Sequence, residues 1–248
     1  MKDRKTHLTE NFYDNLKLGN TKSIFFNMND RFHFKKILNK KNIKIYFDQI
    51  IKNYISKDDF VLDYGCGPGI FSIKISKLCK RVNGVDISKQ FVDLAKKNYK
   101  LVLKKNYTVK KNISYKIPFK DQSFDKILIV DVIHHLGQKN KCFQEINRVL
   151  KKNGTLIIYE PNILNPLIFL MHLLDKNERG LLSLNKTKYN KLFNSTGFKL
   201  SKFDYNGIVI GPESKIFEYA SMFLNLKLIK IFAGWLNPKI FMVVKKTT

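Results

Sequence analysis

Asp131, His134 and His135 lie close together in the chain, and Glu160 and Asn162 follow after the next apolar run. Carboxylates and imidazoles at the ends of two successive strands suit proton transfer, because imidazole titrates near neutrality. His134 or His135 is the candidate base for a hydroxyl-bearing substrate, with Asp131 and Glu160 as candidate catalytic neighbours. The Glu160-Pro161-Asn162 turn is placed to shape a substrate pocket. Adjacent histidines point in different directions, so no metal site is expected from His134, His135 and Glu160.

A second constellation lies upstream. Val61-Leu62-Asp63-Tyr64-Gly65-Cys66-Gly67-Pro68-Gly69 is an apolar run that ends in an acid and then breaks into glycines at alternate positions. Apolar residues resume at helical spacing through Ile70, Phe71, Ile73, Ile75 and Leu78. The pattern predicts a buried strand, a tight turn and a helix, with bare backbone where a ligand must come close. Val82 to Asp86 predicts a second strand ending in an acid, and Ser88 caps the helix beyond it, whose apolar face runs Phe91, Val92, Leu94, Ala95. A carboxylate at that strand end is placed to accept both hydroxyls of a ribose.

The glycine spacing narrows the ligand. A dinucleotide loop wants glycine at 65, 67 and 70, but position 70 is Ile and the third glycine is Gly69. Asp-x-Gly-x-Gly-x-Gly after a strand instead resembles the first motif of the class I S-adenosylmethionine (SAM) dependent methyltransferases. Ile117-Pro118-Phe119 through Ser123-Phe124-Asp125 looks like the lead-in to the fourth strand in the broad, mostly small-molecule, "type 11"-like branch of that family. Asp131 to Leu136 and Glu145 to Gly154 continue the likeness, which spans about Phe60 to Pro161 with its landmarks in order. The resemblance implies SAM as cofactor, cradled by Gly65, Cys66, Gly67 and Gly69. It also implies Asp63 near the SAM ammonium or the loop backbone, Asp86 on the ribose with Ile87 beside it, and Asp131 at the fourth-strand exit. The family often has an acid after the third strand for the adenine amino group. Val109 to Ser114 contains none, which leaves Asn112, Ser114 or the backbone around Ile113 to accept that bond.

Composition bounds the rest. A length of 248 residues suits one well-cored α/β domain with additions. The formal net charge of +26 comes almost entirely from lysines scattered along every segment. Nucleic-acid surfaces favour Arg for bidentate contacts, and Arg is scarce here, so nucleic acid is not the expected partner. The charge favours anionic substrates or anionic membrane surfaces. Cys66, Cys79 and Cys142 lack metal-ligand spacing, and their odd number argues against a disulfide framework. The polar N-terminus has no signal-peptide core, and no apolar run approaches the ~20 residues of a membrane span. A cytoplasmic protein is expected, with surface contact to a membrane as an extension.

The elements that position these residues follow from periodicity. Residues 1–56 carry helical patterns (Phe12, Leu16, then Phe34 to Ile51) and are expected to cap the cofactor or substrate mouth. Strands are predicted at about 60–64, 82–86, 107–113, 126–131 and 155–160, and helix–strand alternation gives a Rossmann-like, doubly wound parallel sheet. A helix from Thr187 to Phe198 precedes two last strands at 199–210 and 239–246, which the family arranges as an antiparallel hairpin. The organisation expected is a single methyltransferase domain: cap 1–56, SAM-binding core 57–161, lid insert 162–185, and a C-terminal part 186–248 carrying a helical insert at 213–233. The apolar stretches 163–174 and 216–236, the latter broken by Lys227 and Lys230, fit a lid over a greasy acceptor or a membrane-surface contact. The function expected is SAM-dependent methyl transfer to a small or lipid-like metabolite, such as a quinone precursor, lipid-linked sugar or glycan unit. The alternatives are an RNA or protein methyltransferase, a non-catalytic SAM-binding protein, and a nicotinamide oxidoreductase. The first lacks the Asn/Asp-Pro-Pro-aromatic motif after strand four, where Asp131-Val132-Ile133-His134 stands, and Cys142 lies beyond the place of a nucleophile.

Overall fold

The computed structural model describes residues 4–15, 37–38, 40–102, 107–175, 178–208 and 215–247. The expected pattern positions Leu16 and Phe34, the end of the 199–210 strand and the start of the 213–233 insert lie outside the described residues.

Seven strands, β1 (Phe60–Tyr64), β2 (Arg81–Asp86), β3 (Tyr107–Lys111), β4 (Phe124–Val130), β5 (Leu150–Pro161), β6 (Phe198–Asn206) and β7 (Lys239–Lys246), form one sheet in the order β3-β2-β1-β4-β5-β7-β6. Pairings from β3 to β5 are parallel, while β7 runs antiparallel between β5 and β6. The winding reverses between β1 and β4, and that reversal opens a crevice at the carboxyl ends of the strands. Alternation along β4 shows how the sheet is covered on both sides. Ile127 and Ile129 join a core with Phe143, Ile146 and Phe193, while Leu128 and Val130 join another with Phe47, Ile51 and Ile157.

The helices number α1 (Arg4–Asp14), α2 (residues 41–51, with a π-helical turn at Lys44–Asp48), α3 (Ile70–Ile75), α4 (Lys89–Val102), α5 (Lys139–Val149), α6 (Pro166–Leu174), α7 (Lys186–Asn194), α8 (Lys215–Leu224) and α9 (Lys227–Ala233). The N-terminal elements divide their work. Helix α1 reaches the crevice through Thr6, Thr9 and Tyr13. Helix α2 instead turns Ile43, Phe47 and Ile51 onto a face of the sheet, because those apolar side chains share one side of the helix. The helix foreseen at 187–198 ends at Asn194, where a turn leads into Gly197, whose φ of +79° suits glycine. The 213–233 insert is two helices, broken at Asn225 and Leu226.

Two sequence landmarks prove to be one structural unit. Arg148 donates to the carbonyls of Phe119 (2.9 Å) and Ile117 (3.0 Å) and pairs with Asp121 at 2.7 Å and Glu145 at 2.8 Å. Glu145 in turn accepts the Ile117 N–H at 3.1 Å. The Pro-Phe…Ser-Phe-Asp segment is thus fastened to α5, which fixes where β4 begins. Asp125 accepts the Phe60 N–H and pairs with Lys151, a strand-entry role. Replacing Arg148 by Met is expected to lower unfolding free energy by about 2 kcal/mol in urea titrations, the loss typical of hydrogen bonds to a charged group.

Candidate active site

The crevice holds about 1120 Å³ of empty space, part of it open to solvent, walled by α1, the β1–α3 loop, the ends of β2 and β4, and the segment after β3. Its floor is the glycine loop. Gly65, Gly67 and Gly69 all have positive φ (73°, 50° and 80°), but for different reasons. A Cβ on Gly65 would strike the Val132 side chain, and one on Gly69 would strike the Tyr99 hydroxyl. A Cβ on Gly67 would meet nothing within 4 Å and would project into the cleft. Gly67 alone leaves its Cβ position open; the other two are bare for packing. Of the expected cofactor residues, Asp63, Gly65, Cys66, Gly67, Asp86, Ile87, Asn112 and Asp131 line the cleft. Gly69 sits behind it as the residue before α3. The Ile113 side chain is 67 % exposed and outside the cleft, and its carbonyl accepts the Lys116 N–H.

Asp86 organises the loop. One carboxylate oxygen accepts the Gly67 N–H at 2.8 Å and the other the Ser88 N–H at 2.9 Å, while Gly65 and Cys66 N–H both donate to the Val85 carbonyl. Ser88 caps α4 as expected, accepting the Phe91 N–H, and its hydroxyl donates to Asp14 of α1 at 2.6 Å. Burial raises Asp86 to about 6, against the Ser88 and Gly67 N–H groups that favour its ionised form. Burial raises Asp63 to about 7, with a Ser72 hydroxyl bond lowering it and the Asp86 charge adding to the rise. Two acids that resist ionisation on one wall favour a ligand carrying positive charge. Beside Asp86, whose carbonyl accepts the Asn112 N–H at 3.0 Å, Asn112 Oδ1 and Ser114 Oγ are buried without a hydrogen-bond partner, although Asn112 Nδ2 donates to the Ser114 carbonyl. Two orphaned acceptors facing the cleft fit a ligand amino group.

The strand-four exit gives the two histidines different surroundings, although their rings do not diverge as expected. Ile133–His135 forms a single 3-10 turn, and the two ring centroids lie only 4.0 Å apart, with both rings approaching Glu178. His135 faces the cleft and shares a 3.2 Å hydrogen bond with the Tyr13 hydroxyl of α1. His134 turns inward. Its Nδ1 lies 2.7 Å from Glu160 and its Nε2 3.1 Å from Glu178. Burial works to lower the His134 pKa, but the charges and hydrogen bonds of Glu160 and Glu178 prevail and raise it to about 9. Glu160 is fully buried, accepts the Val132 and Ile133 N–H groups at 2.7 and 2.8 Å, and does not line the cleft. The expectation of catalytic roles for four residues therefore narrows: Asp131 and His135 reach the cleft, whereas His134 and Glu160 form an ion pair beneath it. Asn162 binds backbone carbonyls of Trp235 and Asn237 and fastens the chain rather than walling the cleft.

Asp131 has φ +57° and forms a salt bridge with the buried Lys239 at the start of β7. His134, His172 and Glu178 each bring a possible metal-ligand atom within 4.8 Å of the others. In this structure the same atoms are joined by hydrogen bonds and charge, with Glu178 lying between His134 and His172. Burial lowers the His172 pKa against the opposing Glu178 charge, and its Nδ1 donates to the Ile168 carbonyl. Tyr13, Glu178 and Lys239 carried no local sequence signal; each meets its partner across more than forty residues.

The profile of a family described as methyltransferase domain matches residues 55–206, more than half of the chain. The chain belongs to the class I SAM-dependent methyltransferase family. This methyltransferase is 33% identical over 139 residues to the ubiquinone biosynthesis O-methyltransferase of Pelagibacter ubique, a match covering 50% of the chain and 55% of that relative. It spans about half the length of the curated relatives it matches, 48% and 45% in two further cases. Its fold resembles a SAM-dependent methyltransferase from Aquifex aeolicus (TM-score 0.63, 19% identity, 88% of this chain and 98% of that one). It also resembles the cyclase SpnF (TM-score 0.65, 14% identity, 100% and 98%). The sheet alone therefore leaves the chemistry to the side chains at its carboxyl end.

The raised pKa of His134 fixes the sign of a stability effect. A group bound more tightly to its proton in the folded state stabilises fully below the ordinary value of 6.5, and that stability drains away as pH rises to about 9. Urea midpoints for the native chain should fall between those limits, and the slope should flatten in His134→Asn.

Proposed function

We propose that the chain transfers a methyl group from SAM to a small, lipid-like acceptor, with a reduced quinone precursor as the leading class. The orphaned acceptors of Asn112 and Ser114, on the strand end next to Asp86, carry the reading of the donor site. SAM supplies a methyl group already activated by a sulfonium. Asp86 would accept from the ribose hydroxyls, and Asp63 and the bare Gly67 backbone would flank the cationic end of the donor. Asn112 Oδ1 or Ser114 Oγ would take the adenine amino group in place of the absent acid.

The acceptor side rests on Asp131, His135 and Tyr13. His135 is the cleft-facing base for a phenolic hydroxyl, and Tyr13 orients its ring through their shared hydrogen bond. Lys239 holds the Asp131 carboxylate at the wall. Leu136, Phe91 and Val132 give the same cleft apolar sides, which suit a greasy ring and exclude water. The similarity to an enzyme named for ubiquinone biosynthesis supports this acceptor class. A nucleic-acid acceptor has less support, since the cations are dispersed lysines and the strand-four exit lacks the amine-methylating motif.

Calorimetric titration should show SAM and its demethylated product binding the native chain, with binding abolished in Gly67→Val. Affinity for SAM should strengthen as pH rises through 6 to 7, because Asp86 and Asp63 must lose their protons to meet a cationic ligand. No binding of either compound would remove the donor reading. With labelled SAM and fractionated extract, label should enter the lipid-soluble pool, and His135→Gln should slow that transfer roughly 100-fold or more. Label entering RNA or protein alone would overturn the acceptor class.

A further inference from the structure

A broad apolar surface lies outside the core. Helix α9 has no buried residue, and Leu228, Ile231 and Phe232 are 73%, 69% and 80% exposed. Tyr219 and Phe223 of α8 and Trp235 beyond α9 are exposed as well. Helix α6 has no Asp, Glu, Lys or Arg and exposes Leu167, Phe169, Leu170, Leu173 and Leu174, burying only Met171 and His172. Such a surface on a folded chain marks a place of contact.

The two apolar pieces are fastened together. Asn162 Nδ2 donates to the carbonyls of Trp235 (2.6 Å) and Asn237 (2.8 Å), and Asn165 Nδ2 donates to that of Leu236. Asn165 also caps α6 through the Ile168 N–H. Both pieces therefore hang from the carboxyl end of β5 and the start of β7, the end of the sheet that carries the cleft. Lys239, just beyond, reaches into the cleft wall at Asp131.

We infer that α6, α8 and α9 form a docking surface for an anionic lipid bilayer. Charge decides the occupant. Residues 215–236, which hold α8 and α9, contain three lysines and one acid, Glu218, and Lys227 is exposed, while Lys230 pairs with Asp204 at 3.0 Å. A second copy of a chain with net charge +26 would be repelled, whereas an anionic leaflet would attract it. Aromatic and aliphatic side chains beside lysines are the composition of helices that lie in an interface rather than cross it. Among the described residues, no helix is long and apolar enough to cross a membrane. Docking here would bring the cleft end of the sheet to the bilayer, so that a lipid-like acceptor need not pass through water. Only that route for the acceptor rests on the methyl-transfer reading; the docking does not.

The test is co-sedimentation of the full chain with phosphatidylcholine vesicles containing roughly 30% phosphatidylglycerol, against pure phosphatidylcholine. Binding is expected to the anionic vesicles, to weaken when salt rises from about 0.1 to about 0.5 M, and to fall roughly tenfold or more in Leu228→Ser/Phe232→Ser. SAM titration of the same double variant should match the native chain, which shows that it is folded. Absence of vesicle binding, or equal binding by native chain and double variant, overturns the surface. So does a dimer in sedimentation velocity that the double substitution disperses, since a second copy would then be the occupant. Vesicle binding by a native chain that fails to bind SAM supports the surface while overturning the donor reading.

Discussion

The N–H of Gly67 donates to the carboxylate of Asp86, and the shape of the cleft floor depends on that bond. It ties the loop after the first strand to the end of the second, beside the pair of N–H groups from Gly65 and Cys66 that share the Val85 carbonyl. The loop can close this tightly only because three alternate residues accept a left-handed backbone. Ser88 continues the chain of contacts, since it caps α4 and binds Asp14, which brings α1 over the cleft. A second tie comes from the end of β3, where Lys111 pairs with Glu10 of α1 at 2.9 Å. The floor and the lid of the cleft are thereby joined through two neighbouring strand ends.

The strand-four exit follows a different logic. Glu160, at the end of β5, accepts two backbone N–H groups and pairs with the His134 ring, so the turn is held from below by a buried charge with three partners. That arrangement leaves His135 as the ring that faces the cleft, oriented by Tyr13. The inner histidine sets geometry, and the outer one lines the space a substrate would enter. Burying an ion pair costs desolvation, and here that cost is offset by hydrogen bonds to both carboxylate oxygens at once.

Much of this was legible in the residues. The glycine loop, Asp86 and the parallel core of the sheet follow from spacing and from periodicity, because β1, β2 and β4 are buried runs bounded by turn residues. The sorting of His134 from His135 was not legible, since it depends on a short 3-10 turn, on Glu160 against one ring and on Tyr13, from a distant segment, against the other. Lys239 was equally hidden: a lysine opening a strand reads as solvent-facing until β7 is placed antiparallel against β5, with its first residue at the cleft. The split of the C-terminal insert into two helices escaped because its apolar residues run on through the break at Asn225 and Leu226. Arg148 shows the converse, a residue read as part of a landmark whose physical purpose emerged only with its partners in view.

The antiparallel setting of β7 constrains the helices that precede it. The residues matched to the family end at 206, and the helices α8 and α9 with their exposed apolar side chains lie beyond that point. Changes on their exposed faces would alter the outer surface without touching the glycine loop. Yet that freedom has an anchor, because the strand that follows delivers Lys239 to Asp131. The outer helices are thus free to differ only so far as the returning strand still lands in register against β5.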